Sequence, residues 1–189
     1  PSDHIMFEIM MYKYKKRYGK NALAEWIKKN HFDRERISPD STRIQDKAYY
    51  ITVEDLQQSY LEENFKLTMD EKKDVLAVLV YQLYKGFGII DTLREMNIDG
   101  FNMGTSGSIL SAVNNVKNVL ERANNAIWLY FEGKYIHLKF MNFGNEEELR
   151  RIIQLLIRYN NPGDLTAKRG YLVNTMYDKS RILALRPPA

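Results

Sequence analysis

The amino-acid sequence predicts an α+β fold, with a small, mainly antiparallel sheet covered by helices and a helical N-terminal extension. Three observations support this fold class. Apolar residues recur at three- and four-residue spacing in several segments, a pattern typical of helices with one buried face. Two pairs of apolar segments flank short turns, at Glu132-Gly133 and at Tyr177 to Ser180, which indicates antiparallel hairpins. From Leu67 onward the order is helix, strand, helix, hairpin, helix, hairpin, which is typical of an α+β domain.

The N-terminal segment predicts two short helices, over residues 5–18 and 21–29, separated by Gly19. Asp3 and Asn21 are the expected N-caps, because their side-chain oxygens can accept hydrogen bonds from the free N–H groups of the first helical turn. Both helices precede the predicted sheet and are therefore interpreted as an extension of it.

The segment from His31 to Ala48 is polar, contains a proline and lacks sustained periodicity. These features predict a linker, and segments of this composition commonly mark domain boundaries. We therefore divide the chain into a helical N-terminal extension with its linker, residues 1–48, and an α+β domain, residues 49–189.

Two capping boxes follow the predicted linker. Asp55 lies three residues after Thr52, and Glu71 lies three residues after Thr68, so each hydroxyl and each carboxylate can accept from a backbone donor of the other residue. The second box begins a helix that Gly86 ends. The apolar residues of this helix are expected to form one stripe, namely Val75, Leu76, Leu79, Val80 and Leu83.

A strand over Ile98–Met103 and an amphipathic helix over Ile109–Ala123 are predicted next. Alternating residues in Ile127–Phe131 and Tyr135–Phe140 then predict two strands joined by a two-residue turn, in which glycine supplies a positive φ. Asn145 is expected to cap the helix that follows, because its side-chain oxygen can accept a backbone N–H of the first turn. The glutamates after it also favour a helix start, because negative charge in the first turn interacts favourably with the helix dipole. The C-terminal hairpin completes the predicted domain.

Composition narrows the class of protein. With 189 residues, of which 44% are hydrophobic, the chain is long enough to bury a sizeable core, and we expect a folded, soluble protein. No run approaches the roughly 18 consecutive apolar residues that a membrane span requires. The absence of cysteine excludes disulfides and thiolate metal sites, and His4, His31 and His137 lack the spacing of metal ligands, so no metal site is predicted.

Charge is unevenly distributed along the chain. Residues 1–47 carry 11 Lys or Arg against 7 Asp or Glu, residues 48–99 carry 5 against 10, and residues 100–189 carry 12 against 7. The basic N-terminal block is interleaved with aromatic residues, which suits contact with anionic lipid or nucleic acid. The alternative interpretation is a solvated helix face beside a packed aromatic one. The candidate contact residues are Lys13, Lys15, Lys16 and Arg17.

Catalytic motifs are absent from the sequence. Gly100–Ser108 has the glycines of a phosphate-binding loop but lacks its Gly-Lys-[Ser/Thr] ending, so an ordinary strand-to-helix turn is the preferred interpretation. The sequence contains neither a G-x-S-x-G elbow nor a cysteine nucleophile. We therefore assign no catalytic residue.

Six short segments follow one another in a recognisable order over the last two thirds of the chain. They are Leu67 to Glu71, Gly86 to Leu93, Ile98 to Gly104, Trp128 to Lys134, Leu149 to Ile153 and Asp178 to Arg181. In this order they resemble the N-terminal domain of CpaF-like type II/IV secretion and pilus-assembly motor ATPases. That family shows a G-x-G-x-[IL]-[DE]-x-L element, an aromatic strand with a Gly-Lys turn, and a D-G-S-R hairpin followed by two prolines, here Pro187 and Pro188.

Three features depart from the pattern of this family. Lys179 replaces the usual glycine of D-G-S-R, so a different turn type is open at this position. The predicted helix Ile109–Ala123 is an insertion between two strands, and the stretch from Met6 to Ala48 matches no part of the family pattern. The resemblance is therefore to a divergent member.

The resemblance implies a regulatory and assembly domain of a hexameric ATPase that powers secretion, pilus assembly or conjugative transfer. Its partners would be its own P-loop motor domain, other copies of the protein, and inner-membrane secretion proteins. ATP and Mg²⁺ would bind to the full-length parent and not to this fragment alone. The implied location is the cytoplasm, peripheral to the inner face of the cell membrane. A stand-alone adaptor that binds nucleic acid or a membrane surface through the basic N-terminus is the alternative.

Arg181 is the site residue that the resemblance implies. In this family an arginine of the N-terminal domain reaches the nucleotide phosphates held by the motor domain, and a guanidinium is suited to phosphate because it presents a planar fork of donors. The alternative is a strand arginine paired with Asp164 or Asp178. Arg186 lies five residues further along and is expected to have a surface role.

Overall fold

The computed structural model describes residues 1–37, 47–104, 126–160, 163–166 and 168–185. The chain divides into two compact units, Pro1–Phe143 and Gly144–Ala189. The predicted helix Ile109–Ala123, and Arg186 with the two prolines after it, lie outside the described residues.

The first unit contains helices and strands in a mixed order: α1 (Asp3–Tyr18), α2 (Ala22–Lys29), β1 (Arg36–Ile37), β2 (Lys47–Ile51), α3 (Val53–Glu63), α4 (Met69–Tyr84), α5 (Asp91–Arg94), β3 (Gly100–Gly104), β4 (Ala126–Phe131) and β5 (Lys134–Leu138). Its strands form a sheet of order β1-β2-β5-β4-β3, in which only β2 and β5 run parallel. The second unit contains α6 (Glu146–Arg158), β6 (Tyr171–Thr175) and β7 (Arg181–Leu185). The predicted α+β class and mainly antiparallel sheet are confirmed.

Helix termini agree with the prediction at three of five caps. Ser2, and not the predicted Asp3, caps α1, because its hydroxyl accepts the N–H of Ile5 at 3.4 Å. Asn21 occupies the N-cap position of α2 but its side chain makes no capping bond. Both predicted capping boxes are present at the starts of α3 and α4, and Asn145 caps α6 as expected. The caps are local interactions, which is why the sequence identifies them.

One face of the sheet and two helices share an apolar core. Alternate residues of the strands are buried on this face, namely Ile51, Ile127, Leu129, Phe131, Ile136 and Leu138. Phe7 of α1 and Trp26 of α2 are fully buried, with their rings 5.2 Å and 6.0 Å from the ring of Phe140, which follows β5. Helices α1 and α2 therefore cover the sheet and contribute to its core.

The predicted linker contains residues that belong to the sheet. Strand β1 pairs antiparallel with β2, with Arg36 opposite Ala48. The Arg36 guanidinium donates to both carboxylate oxygens of Asp55, at 3.1 Å and 2.8 Å, and lies 4.2 Å above the ring of Tyr50. Both described ends of the segment are thus fixed, while residues 38–46 lie outside the described residues. The division of the chain at residue 48 stays a prediction.

The G-x-G element has a packing explanation. The Asp91 carboxylate accepts the N–H of Phe87 at 2.7 Å, and a Cβ atom at Gly86 would overlap that carboxylate and approach Gln82 Cα to 3.0 Å. Gly88 has a φ of 60°, in the left-handed region that favours glycine. Burial raises the pKa of Asp91 to about 6. The two glycines therefore allow this acidic side chain to close the loop between α4 and α5.

We expect Gly86→Ala to destabilise the first unit by about 1–3 kcal/mol, because the added methyl group must displace backbone or the Asp91 carboxylate. Trp26 and Trp128 both lie in this unit, so tryptophan fluorescence during urea unfolding reports on it. Gly104→Ala is the matched control, since a Cβ atom there meets nothing within 4 Å. Equal stability of the two variants would contradict this explanation.

Candidate functional site

The C-terminal hairpin of β6 and β7 carries the residue that the family resemblance implies, and α6 holds the hairpin in place. The buried Asn174 side chain donates its amide N–H to the carbonyl oxygen of Leu156 at 2.9 Å. Asn160 donates to the carbonyl oxygen of Thr175. The buried side chain of Leu172 lies on the same face of β6 as Asn174. These contacts turn one face of the hairpin towards α6. The other face of the hairpin therefore points away from α6.

The face of the hairpin away from α6 is largely apolar and exposed. The exposed fractions are 65% for Tyr171, 57% for Val173, 61% for Leu183 and 70% for Leu185. The strand register places Tyr171 opposite Leu185 and Val173 opposite Leu183. At the end of this face near the turn, Arg181 lies opposite Thr175. We define these six residues as the hairpin face, an apolar surface with a single cation at one end.

Arg181 is exposed and makes none of the pairs considered for it. Asp164 binds Arg158 instead, at 3.2 Å. The Asp178 carboxylate accepts the backbone N–H of Ser180 at 3.0 Å. Within the part of the chain that the structure describes, Arg181 has no ion pair and no side-chain hydrogen bond. The guanidinium is therefore in position to bind an anion that approaches the hairpin face.

The turn before Arg181 places Lys179 in a backbone conformation that suits glycine. Lys179 has a φ of 67°, in the left-handed region. The N–H of Lys179 donates to the carbonyl oxygen of Met176 at 2.9 Å. The N–H of Met176 donates to the carbonyl oxygen of Ser180, also at 2.9 Å. The backbone thus adopts a conformation that suits glycine although a lysine occupies the position. The departure from D-G-S-R leaves a left-handed residue at this point of the turn.

The N-terminal cations lie on α1, where most of them meet carboxylates. Lys13 and Lys16 both bind Glu71 of α4, at 2.7 Å and 3.1 Å, and Lys15 binds Glu95. The Lys13 ammonium is the main cause that lowers the pKa of Glu71 to about 2. These ion pairs connect α1 to α4 and to the end of α5.

Arg17 alone among these four cations has no carboxylate partner within the described residues, and its guanidinium lies 5.8 Å from the ring of Tyr18. The aromatic residues between the cations are also engaged. Tyr12 donates to Asp74 at 2.6 Å, and the indole N–H of the buried Trp26 donates to Ser59 at 2.8 Å. The arrangement agrees with a packed aromatic face beside paired charges and leaves little free positive charge on α1.

Sequence reasoning missed an aromatic ladder on the face of the sheet opposite α1 and α2. The ring of Trp128 stacks on Tyr135 at 4.6 Å and on His137 at 4.2 Å, and Tyr130 packs against Tyr135. His137 is half-buried in this stack. The alternation of residues 126–138 was the available signal. The two inner rings of this stack, Trp128 and Tyr135, each pack against two neighbouring rings.

No metal site forms among the described residues, since no three His, Asp or Glu side chains come together there. Likewise, none of the helices in the described ranges is long and apolar enough to cross a membrane. Gly104 ends β3, and the rest of the glycine-containing loop after it lies outside the described residues.

Comparison of the chain with protein-family models, with curated proteins and with solved structures gave no match. Any assignment of function therefore depends on the sequence motifs and on the geometry of the hairpin.

We expect Lys179→Gly to stabilise the hairpin by about 0.5–1 kcal/mol, because glycine adopts the left-handed region without the steric cost of a Cβ atom. Hydrogen exchange of the β6 and β7 amides measures this change. Lys168→Gly is the control, because the backbone of Lys168 is not left-handed and glycine there adds only flexibility. Slower exchange in both variants, or in neither, would contradict the prediction.

Proposed function

We propose that this chain is the N-terminal region of a motor ATPase of the type II/IV secretion class, with a regulatory and assembly role. In this proposal the hairpin face packs against a P-loop motor domain of the same polypeptide. The observation that carries it is Arg181, which is exposed, has no ion pair among the described residues, and lies at the end of an apolar face on a hairpin fixed to α6. The six family segments, found in the same order, support the same assignment.

The chemistry of the hairpin face suits contact with a nucleotide held by another domain. Its apolar residues favour burial against a neighbouring surface, and burial removes water from the end where Arg181 lies. A charge interaction is stronger where water is excluded, provided that the buried cation gains a partner. The phosphates of ATP are such a partner, because their oxygens accept the parallel donors of a guanidinium.

Within this proposal the residues of this chain regulate and do not catalyse. The motor domain supplies the sites for ATP and Mg²⁺, and closure of the N-terminal domain brings Arg181 to the phosphates. Release of phosphate removes the attraction, so the domain can move away. In a ring of six subunits this motion would be passed to inner-membrane partners that assemble a pilus, secrete a substrate or transfer DNA. This cycle accounts for a domain that has a phosphate-binding residue but no catalytic motif.

The alternative, a nucleic-acid or membrane adaptor that uses the basic N-terminus, receives less support from the geometry. Lys13 and Lys16 share one carboxylate, and Lys15 has its own. An anionic ligand would have to compete with these pairs for the same ammonium groups. We therefore favour the motor assignment.

The test is the ATPase activity of the full-length protein with Arg181→Ala. We expect turnover to fall by about tenfold or more, because a charge-assisted contact to the transferring phosphate is lost, while the exposed position leaves folding intact. Arg158→Ala is the matched control, because Arg158 is an exposed arginine of the same unit whose partner, Asp164, is also exposed.

Unchanged turnover in Arg181→Ala would remove this arginine from the mechanism. An equal loss in both variants would assign the effect to general damage of the second unit. A full-length gene that encodes no P-loop motor domain would contradict the proposal as a whole.

A further inference from the structure

One side of helix α4 packs against α1. On this side Val75 and Gln82 are buried, and the Gln82 amide donates to the carboxylate of Glu8 at 3.0 Å. The ion pair of Lys13 with Glu71 lies at the start of the same contact. Helix α4 therefore needs no further partner on this side.

The opposite side of α4 is apolar and exposed. The exposed fractions are 60% for Leu76, 63% for Val80, 76% for Leu83 and 78% for Tyr84. The sequence predicted that Val75, Leu79, Val80, Leu76 and Leu83 form one stripe; the structure divides them, with Val75 buried, Leu79 half-buried and the other three exposed. The helix thus has a second apolar face that nothing in the described residues covers.

The spacing of this second face is that of a helix-packing seam. Met69, Lys73, Leu76, Val80 and Leu83 alternate at intervals of four and three residues. This is the a/d pattern of coiled coils, in which each side chain inserts between four residues of a facing helix. We call these five residues the α4 seam. A facing helix with the same spacing is the surface that fits it.

We propose that the α4 seam packs against the α4 seam of a second copy of this chain, antiparallel and about a two-fold axis. Two-fold pairs, in which the same patch meets itself, are the commonest arrangement of identical subunits.

Charge decides the orientation. Lys73 is the only charged residue of the α4 seam. In a parallel pair the two lysines would face each other across the seam, which is unfavourable. In an antiparallel pair each lysine lies near the C-terminal half of the other helix, whose exposed carbonyl groups favour a cation. Leu76 then lies beside Val80 of the second copy.

The exposed area is sufficient for a pair of modest affinity. The exposed side chains of the α4 seam, with the neighbouring Tyr84 at 78% exposed, present on the order of 600 Å² per copy. A standard interface uses about 800 Å² per partner, so we expect a dissociation constant in the micromolar range. The contact joins copies in pairs and does not depend on the motor assignment.

Sedimentation velocity of the chain at up to about 100 µM tests the proposal. We expect a dimer that dissociates on dilution, and a dissociation constant raised at least tenfold by Leu83→Glu with an unchanged circular dichroism spectrum. Leu61→Glu is the matched control, because Leu61 is a leucine of α3 that is 69% exposed and lies outside the seam. A monomeric wild-type chain, or equal weakening by both variants, would overturn the proposal.

Disulfide formation between introduced cysteines reports the relative orientation of the two α4 helices. Because the chain has no cysteine of its own, every disulfide must join introduced residues. In a mixture of Leu76→Cys and Val80→Cys chains, the antiparallel seam predicts mainly links between the two different variants. Links that join only identical variants would indicate a parallel pair and would overturn the proposed orientation. If disulfides formed neither in the mixture nor in samples of a single variant, the α4 seam would be excluded as the contact.

Discussion

The burial of α1 is the constraint on which the first unit depends. Phe7, Glu8, Ile9, Met10 and Met11 are all buried, and five consecutive residues cover every side of a helix, so this stretch of α1 is enclosed all round. The same helix also buries the carboxylate of Glu8, which accepts the hydroxyl hydrogen bond of Thr92 at 2.8 Å in addition to the amide of Gln82. A buried carboxylate is tolerated only when such donors surround it, so α1 fixes the positions of α4 and α5 as well as covering the sheet.

This constraint also explains the uneven charge of the sequence. The basic N-terminal block and the acidic block that follows it meet in the fold, through Lys13 and Glu71, Lys15 and Glu95, and the pair of Lys29 with Glu63. Three of the four cations that the sequence offers as contacts for anionic ligands therefore bind carboxylates of the same unit. Arg181, by contrast, has no ion pair within the described residues and lies at the end of the apolar hairpin face. This difference in pairing is the reason why the motor assignment is preferred.

Sequence reasoning succeeded where the determinants are local. The capping boxes of Thr52 and Thr68 and the Glu132-Gly133 turn depend on residues within a few positions of each other, and the structure has all of them. It could not find the half of the α4 stripe that lacks a partner, because that division is set by the contact of α4 with α1. Nor could the spacing show that Arg36, in a segment interpreted as a linker, pairs with the sheet and with Asp55.

The sequence predicted only part of the candidate site. Motif order indicated Arg181, but it did not show that Arg181 is exposed or that Asp164 and Asp178 bind Arg158 and Ser180 instead. The left-handed conformation of Lys179 could be inferred only from the glycine that the family has at this position, since nothing in the lysine itself favours it. The resemblance thus named Arg181 as a candidate, and the structure shows its surroundings.

Helices α1 and α2 are core elements of the first unit, and deletion of residues 1–30 tests this claim most directly. Trp128 remains in the shortened chain as a reporter, and hydrogen exchange of the β4 and β5 amides reports the sheet. We predict that the shortened chain loses cooperative unfolding of the first unit and protection of these amides. Retention of a cooperative transition and of slow exchange in β4 and β5 would show that the helices are a dispensable extension, and would contradict the account.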